Sequence, residues 1–86
     1  MIGWSDTKIS TVLGPASLVR RDLSSEIWQY RTPDCVLFLF LYPDGDHSKI
    51  KHVDARSPDG KDVKACVTSV LRQRLSAESQ AKTPKT

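Results

Sequence analysis

Two cysteines are the residues of this sequence best suited to covalent chemistry. Cys35 and Cys66 stand 31 positions apart, a spacing that fits neither a CxxC redox motif nor a zinc ribbon. A disulfide between them would stabilise a small domain by roughly 3–4 kcal/mol and would require an oxidising compartment. The alternative is two free, buried thiols that pack as small apolar residues. Of the two, we predict the disulfide.

The remaining groups that could do chemistry lack the companions that catalysis or metal binding needs. His47 and His52 are the only imidazoles. A His52–Asp54 pair could act as a general base, but no nucleophile or glycine-rich phosphate loop accompanies it. The run Asp44-Gly45-Asp46 lacks the twelve-residue spacing and terminal Glu of an EF-hand. We therefore predict no catalytic residue, no metal site and no cofactor.

The elements that must position these residues can be read from the hydrophobic periodicity and the turn residues. We predict an α+β domain. Along the chain, a short helix is followed by a meandering antiparallel sheet of three or four strands and then by an amphipathic helix, which packs on one face of the sheet. The elements are helix 5–13, strands 17–23, 26–32, 35–42 and 49–57, and helix 62–76. Residues 1–76 form the single domain, and residues 77–86 are expected to be a flexible polar tail.

The last helix has the clearest periodicity. Its apolar residues recur at positions i, i+3, i+4, i+7 and i+8: Val63, Cys66, Val67, Val70 and Leu71. This stripe is typical of a helix that packs against a core. It places Cys66 on the inner side of the helix.

The strand 35–42 is apolar throughout, and its alternation separates two sets of side chains. Cys35 shares a side with Leu37, Leu39 and Leu41, so a disulfide to Cys66 would turn that side toward the last helix. The other side carries four residues: Val36, Phe38, Phe40 and Tyr42. Little sequence remains to cover them, which predicts a partner site or a dimer interface. The alternatives are that helix 5–13 covers this side, or that both sides are ordinary core.

The charge is unevenly distributed along the chain. The net charge is +3, but residues 1–60 carry seven basic and eight acidic residues, whereas residues 61–86 carry six basic and two acidic ones. A basic end can attract nucleic acid or anionic lipid, yet the basic residues are dispersed and favour a solvated helix and tail. Arg20, Arg21 and Arg31 could likewise form a patch for anionic headgroups. The plainer explanation pairs them with neighbouring carboxylates: Asp22, Glu26 and Asp34.

Several short motifs follow one another in the first two thirds of the chain. They are Gly3-Trp4-Ser5, then Ile9, then Leu13-Gly14-Pro15 at a helix end, then Trp28-Gln29-Tyr30, and finally the apolar strand and turn from Leu37 to Gly45. In this order they resemble the SmpA/OmlA (BamE-like) outer-membrane lipoprotein domain over roughly residues 2–57. The chain departs from that family in the direct Gly14-Pro15 step, in Pro43 at the strand end, and in a cysteine-bearing helix placed after the sheet.

The resemblance implies a divergent, small bacterial envelope protein. It would be a non-enzymatic interaction or scaffolding module, linked to outer-membrane assembly, in the periplasm or at the inner leaflet of the outer membrane as a lipoprotein. The expected partner is another envelope protein, with a homodimer or anionic lipid as lesser options. We expect no signal peptide within the chain, because no basic and apolar leader is visible. The alternative is a small, basic, cytoplasmic nucleic-acid-binding protein that uses the last helix.

Overall fold

The structure, a computed structural model, describes the backbone of residues 1–82 and the side chains of residues 1–75. It contains two helices and four strands, which we number in chain order: α1 (Asp6–Leu13), β1 (Leu18–Asp22), β2 (Ser25–Arg31), β3 (Val36–Asp44), β4 (His47–Arg56) and α2 (Val63–Lys82). The strands form one antiparallel sheet in the order β1-β2-β3-β4. The predicted α+β class and meander are confirmed.

Both helices pack on the same face of the sheet. α1 contacts α2 and β4, while α2 contacts β3 and β4. Ile9 and Leu13 of α1 join Val70 of α2 and the three leucines of β3 in a single buried cluster. We call the face of the sheet beneath the helices the inner face and the opposite face the outer face.

A β-bulge changes the faces of β4. Strict alternation along residues 49–57 predicts Ile50 on the same side as His52, Asp54 and Arg56, and this prediction is wrong. The register shifts between Phe40 and Leu41, so that Phe40 lies opposite His52 while Leu41 lies opposite Ile50. The one extra residue, Lys51, turns Ile50 to the inner face, where its side chain is fully buried.

Three element boundaries differ from the predictions by two residues or more, and one of them is the start of β4, at His47 and not at residue 49. Pro43 and Asp44 belong to β3 and not to a loop, because the hairpin turns within Gly45 and Asp46 alone. α2 continues to Lys82, beyond the predicted helix end at Ser76. Residues 83–86, the end of the predicted tail, lie outside the described residues, and the flexibility of that tail stays a prediction.

The N-terminal segment lies along the open edge of β4. The Gly3 N–H donates to the Ile50 carbonyl at 2.8 Å, and the Ile50 N–H donates to the Trp4 carbonyl at 2.9 Å. A bridge between Ser5 and Lys49 continues this pairing. These contacts satisfy backbone groups that an edge strand would otherwise leave unpaired, and they bring Trp4 next to α2.

The residues at the two ends of α1 have structural roles. The Ser5 hydroxyl accepts a hydrogen bond from the Lys8 N–H at 3.2 Å and so caps the helix. Gly14 ends the helix with φ 78° and ψ −167°, a conformation almost restricted to glycine. The Arg74 guanidinium packs where a side chain on Gly14 would project. The Tyr30 hydroxyl donates to the Gly14 carbonyl at 2.8 Å, which ties β2 to α1.

Alkaline titration should detect the burial of Tyr30. Burial raises the pKa of Tyr30 to about 12, and the charge of Arg74 opposes this increase. Because the raised pKa favours the neutral phenol in the folded state, this contribution to stability is complete below the ordinary pKa near 10 and is lost between about pH 10 and 12. We expect a loss of about 2 kcal/mol over that range, measured by urea unfolding.

The matched control for this prediction is Tyr30→Phe, which has no phenol to ionise and should lose less stability over the same range. In Tyr42→Phe, Tyr30 is the only remaining tyrosine, so tyrosinate absorbance then reports on Tyr30 directly. Ionisation of that phenol with an ordinary pKa in the folded protein would contradict its burial.

Candidate functional site

The disulfide between Cys35 and Cys66 joins the sheet to α2, as predicted. The two Cα atoms are 5.8 Å apart, and both side chains are buried. The turn before β3 positions Cys35, because the Thr32 hydroxyl oxygen accepts from the Cys35 N–H at 3.1 Å and from the Asp34 N–H at 3.2 Å. Since the sulfurs are enclosed between the inner face and α2, the bond has a structural role and is poorly placed to react with another molecule.

The disulfide leaves the aromatic side of β3 on the outer face. Cys35, Leu37, Leu39 and Leu41 are buried beneath the helices. Val36, Phe38 and Phe40 are only half-buried, and Tyr42 is 46% exposed. α1 does not cover them, because it packs on the inner face. Within the described residues, no helix lies over the outer face.

Neighbouring strands extend this surface on both sides of β3. The register places Ile27 and Gln29 of β2 beside Phe40 and Phe38. Together with residues of β1 and β4 they line a shallow cavity of about 290 Å³; its lining is Arg20, Ile27, Gln29, Phe38, Phe40, Asp54 and Arg56. The lining therefore combines aromatic and aliphatic side chains with the buried amide of Gln29 and with charged groups, which form the rim of this surface.

Two contacts support the phenylalanine rings. The Arg56 guanidinium lies 5.9 Å from the centroid of the Phe38 ring, within the range of a cation–π contact. The His52 ring centroid lies 5.2 Å from that of Phe40, with an angle of 49° between the ring planes. Both rings are thus held in place by side chains of β4, while their faces remain partly open.

The arginines of the outer face are not neutralised as predicted. Arg21, whose side chain points to the inner face, pairs with Glu26 at 3.3 Å. Among the described residues, Arg20, Arg31 and Arg56 have no carboxylate oxygen within 4.0 Å. The predicted pairing with neighbouring carboxylates is therefore right for Arg21 and wrong for Arg20 and Arg31.

The one carboxylate in the cavity lining, that of Asp54, can offset only one of these three positive charges. Asp54 Oδ1 accepts a hydrogen bond from the Ala55 backbone N–H at 2.9 Å. Asp34, one of the three carboxylates predicted to pair with these arginines, instead accepts from the Ser69 hydroxyl at 3.4 Å. The outer face therefore combines an apolar centre with a net positive rim.

β1 forms an edge of the sheet beside this surface. All five of its residues are exposed, and among the described residues it pairs only with β2. The loop that follows contains Leu23, fully exposed and with a positive φ of 55°. The charged side chains of Arg20 and Arg21 are typical of edge strands that resist pairing with another copy of themselves.

The histidines and aspartates lie at separate places. His47 Nδ1 is 3.5 Å from Asp6 Oδ1 near the β3–β4 turn, whereas His52 lies on the outer face. A hydrogen bond from Lys51 and the charge of Lys49 hold the pKa of Asp44 below its ordinary value. In the part of the chain that the structure describes, no three His, Cys, Asp or Glu side chains form a group that could hold a metal ion.

Comparisons of the chain with protein families, with curated proteins and with solved structures gave no match. The resemblance to the SmpA/OmlA domain therefore stays a prediction from the motifs. Neither helix, as far as its residues are described, has the length and apolar content that crossing a membrane would require.

Proposed function

We propose that this chain is a non-enzymatic protein-interaction module of the bacterial cell envelope. Its outer face would bind an envelope protein that presents carboxylates around an apolar contact. The observation that carries the proposal is the half-exposed strip of Val36, Phe38 and Phe40. Beside it lie arginines that have no carboxylate oxygen within 4.0 Å among the described residues. Aromatic residues and arginines are enriched among the residues that dominate binding energy at protein interfaces.

The disulfide supports the compartment part of this proposal. Disulfides form and persist outside the reducing cytoplasm, so the Cys35–Cys66 bond fits an oxidising, non-cytoplasmic location. The periplasm, attachment as a lipoprotein and a link to outer-membrane assembly are what the motif resemblance adds. Each of these three is proposed on that resemblance alone.

Charge complementarity favours an acidic partner over a second copy. If two outer faces met, the rim of Arg20 and Arg56 would approach the same residues of the other copy, and like charges across an interface are unfavourable. A partner with aspartates or glutamates would pair with these guanidinium groups, while its apolar centre would cover the phenylalanines. Binding should therefore weaken as the salt concentration increases.

The test is photo-crosslinking in bacteria from a photoreactive phenylalanine analogue at position 40, with position 10 on exposed α1 as the control. We expect a protein crosslinked from position 40 and not from position 10. The purified partner should bind the wild type at least tenfold more tightly than Arg20→Glu/Arg56→Glu. A crosslink only to a second copy, or equal crosslinking from both positions, would contradict the proposal.

The nucleic-acid alternative has a weaker structural basis on α2 than the sequence indicated. Arg74, one of its basic residues, packs against Gly14 and acts on the pKa of buried Tyr30. A titration of the purified domain with a single-stranded oligonucleotide decides between the two functions. Tight, salt-dependent binding that Arg72→Glu abolishes would favour nucleic acid, and its absence would favour the envelope module.

A further inference from the structure

A second surface lies on the helical side of the molecule, away from the outer face. An open groove of about 410 Å³ lies between the N-terminal segment, which runs along β4, and the first turns of α2. Its walls are formed by six residues: Met1, Trp4, Val63, Lys64, Val67 and Thr68. This volume lies within the range of small-molecule sites in proteins.

The walls of the groove offer almost no hydrogen-bonding group. The Thr68 hydroxyl is already used, because it donates to the Lys64 carbonyl at 3.1 Å. The other side chains of the lining are hydrocarbon, thioether and indole, so the remaining polar groups are the end of Lys64, the indole N–H of Trp4 and the accepting oxygen of Thr68. A peptide backbone that entered this groove would lose hydrogen bonds to water and replace few of them, whereas a hydrocarbon chain has none to lose.

Two lysines border the groove and have no acidic partner in the part of the chain that the structure describes. The Lys8 Nζ lies 4.6 Å from the centroid of a Trp4 ring, and Lys64 is itself part of the wall. Among the described residues, neither has a carboxylate oxygen within 4.0 Å, whereas Lys49, Lys51 and Lys61 each pair with an aspartate. The groove thus combines an apolar trough with uncompensated positive charge at its border.

We propose that this groove binds a fatty acid, with the acyl chain in the trough and the carboxylate near Lys64 and Lys8. This site is independent of the protein partner proposed for the outer face. Charge complementarity selects an anionic headgroup, and the lack of polar wall groups selects an alkyl chain. A second copy or a partner helix in the groove would be a different outcome of the test below.

Quenching of Trp4 fluorescence is the direct measurement. In Trp28→Phe, Trp4 is the only remaining tryptophan, and dodecanoate brominated along its chain quenches a nearby indole. We expect saturable quenching below the concentration at which the fatty acid forms micelles. Each added CH₂ should tighten binding about fourfold until the groove is filled, as expected for about 0.8 kcal/mol per buried CH₂.

Two variants test the roles of charge and shape. Lys64→Glu should weaken dodecanoate binding at least tenfold and leave binding of dodecyltrimethylammonium unchanged or stronger. Val67→Phe should shift the preferred acid to a shorter chain, because the larger side chain occupies part of the trough. The matched control is Arg56→Glu on the outer face, which should bind dodecanoate like the wild type.

The amide NMR spectrum of the unaltered protein gives an independent readout if a variant fails to fold. Dodecanoate should shift the signals of Trp4, Lys64 and Val67 more than those of Phe38 and Phe40. Unsaturable quenching, equal affinity for the anionic and cationic amphiphiles, or shifts centred on the outer face would overturn the proposal. The proposal would also be overturned if the protein sedimented as a dimer whose interface covers the groove.

Discussion

Replacing both cysteines by serine should lower the free energy of unfolding by about 3–4 kcal/mol. The bond closes a loop of 31 residues, and losing this constraint increases the conformational entropy of the unfolded chain by about that amount. A domain of 86 residues buries a modest fraction of its surface, so the loss is a large part of its stability. Urea unfolding of Cys35→Ser/Cys66→Ser and the wild type, compared without reductant, measures the difference.

Reductant provides the control within the same experiment. Dithiothreitol should shift the wild-type urea midpoint most of the way toward that of the double variant, and it should leave the variant unchanged. The slope of the free energy with urea should stay similar if the folded state keeps its core. Coincident midpoints for the oxidised and reduced wild type would mean that the bond contributes nothing to stability.

Local patterns were sufficient to predict most of the fold. The stripe on α2 and the alternation on β3 together place Cys66 and Cys35 on facing surfaces, because each pattern records which side of its element is buried. Gly14 indicates the end of α1 through a backbone conformation that few other residues adopt, and Ser5 indicates its start through a side chain that can accept from the first turn. In all these cases the signal lies within a few residues of the feature it predicts.

Features that depend on distant parts of the chain were not predicted. The residue types of β4 do not indicate the bulge at Lys51. The bulge arises from the pairing of β4 with β3, and it turns Ile50 to the opposite face. The Tyr30–Gly14 hydrogen bond and the groove between Trp4 and α2 arise from tertiary packing. The sequence also did not predict that Arg20 and Arg31 have no carboxylate oxygen within 4.0 Å among the described residues. The closeness of Arg20 to Asp22 in the sequence does not determine whether their charged groups meet.

The largest effect of a single substitution is expected at Leu39, the central residue of the inner face. Its side chain is fully buried, and Leu39→Ala should lower the free energy of unfolding by about 2–5 kcal/mol through lost burial and the cavity left behind. The adjacent Phe40 projects from the other face and is only half-buried. Phe40→Ala should therefore cost only about 1 kcal/mol, although it removes the larger side chain.

The substitution that removes the smaller side chain is thus expected to cause the larger loss of stability. This comparison distinguishes a core position from a binding position on one strand. Urea unfolding of the two variants gives the stabilities, and the crosslinked partner gives the affinities. Leu39→Ala should bind like the wild type as long as it is folded, whereas Phe40→Ala should lose at least tenfold in affinity, since its ring is part of the proposed contact. A larger stability loss for Phe40→Ala than for Leu39→Ala would place the phenylalanines in the core and remove the basis for an outer docking face.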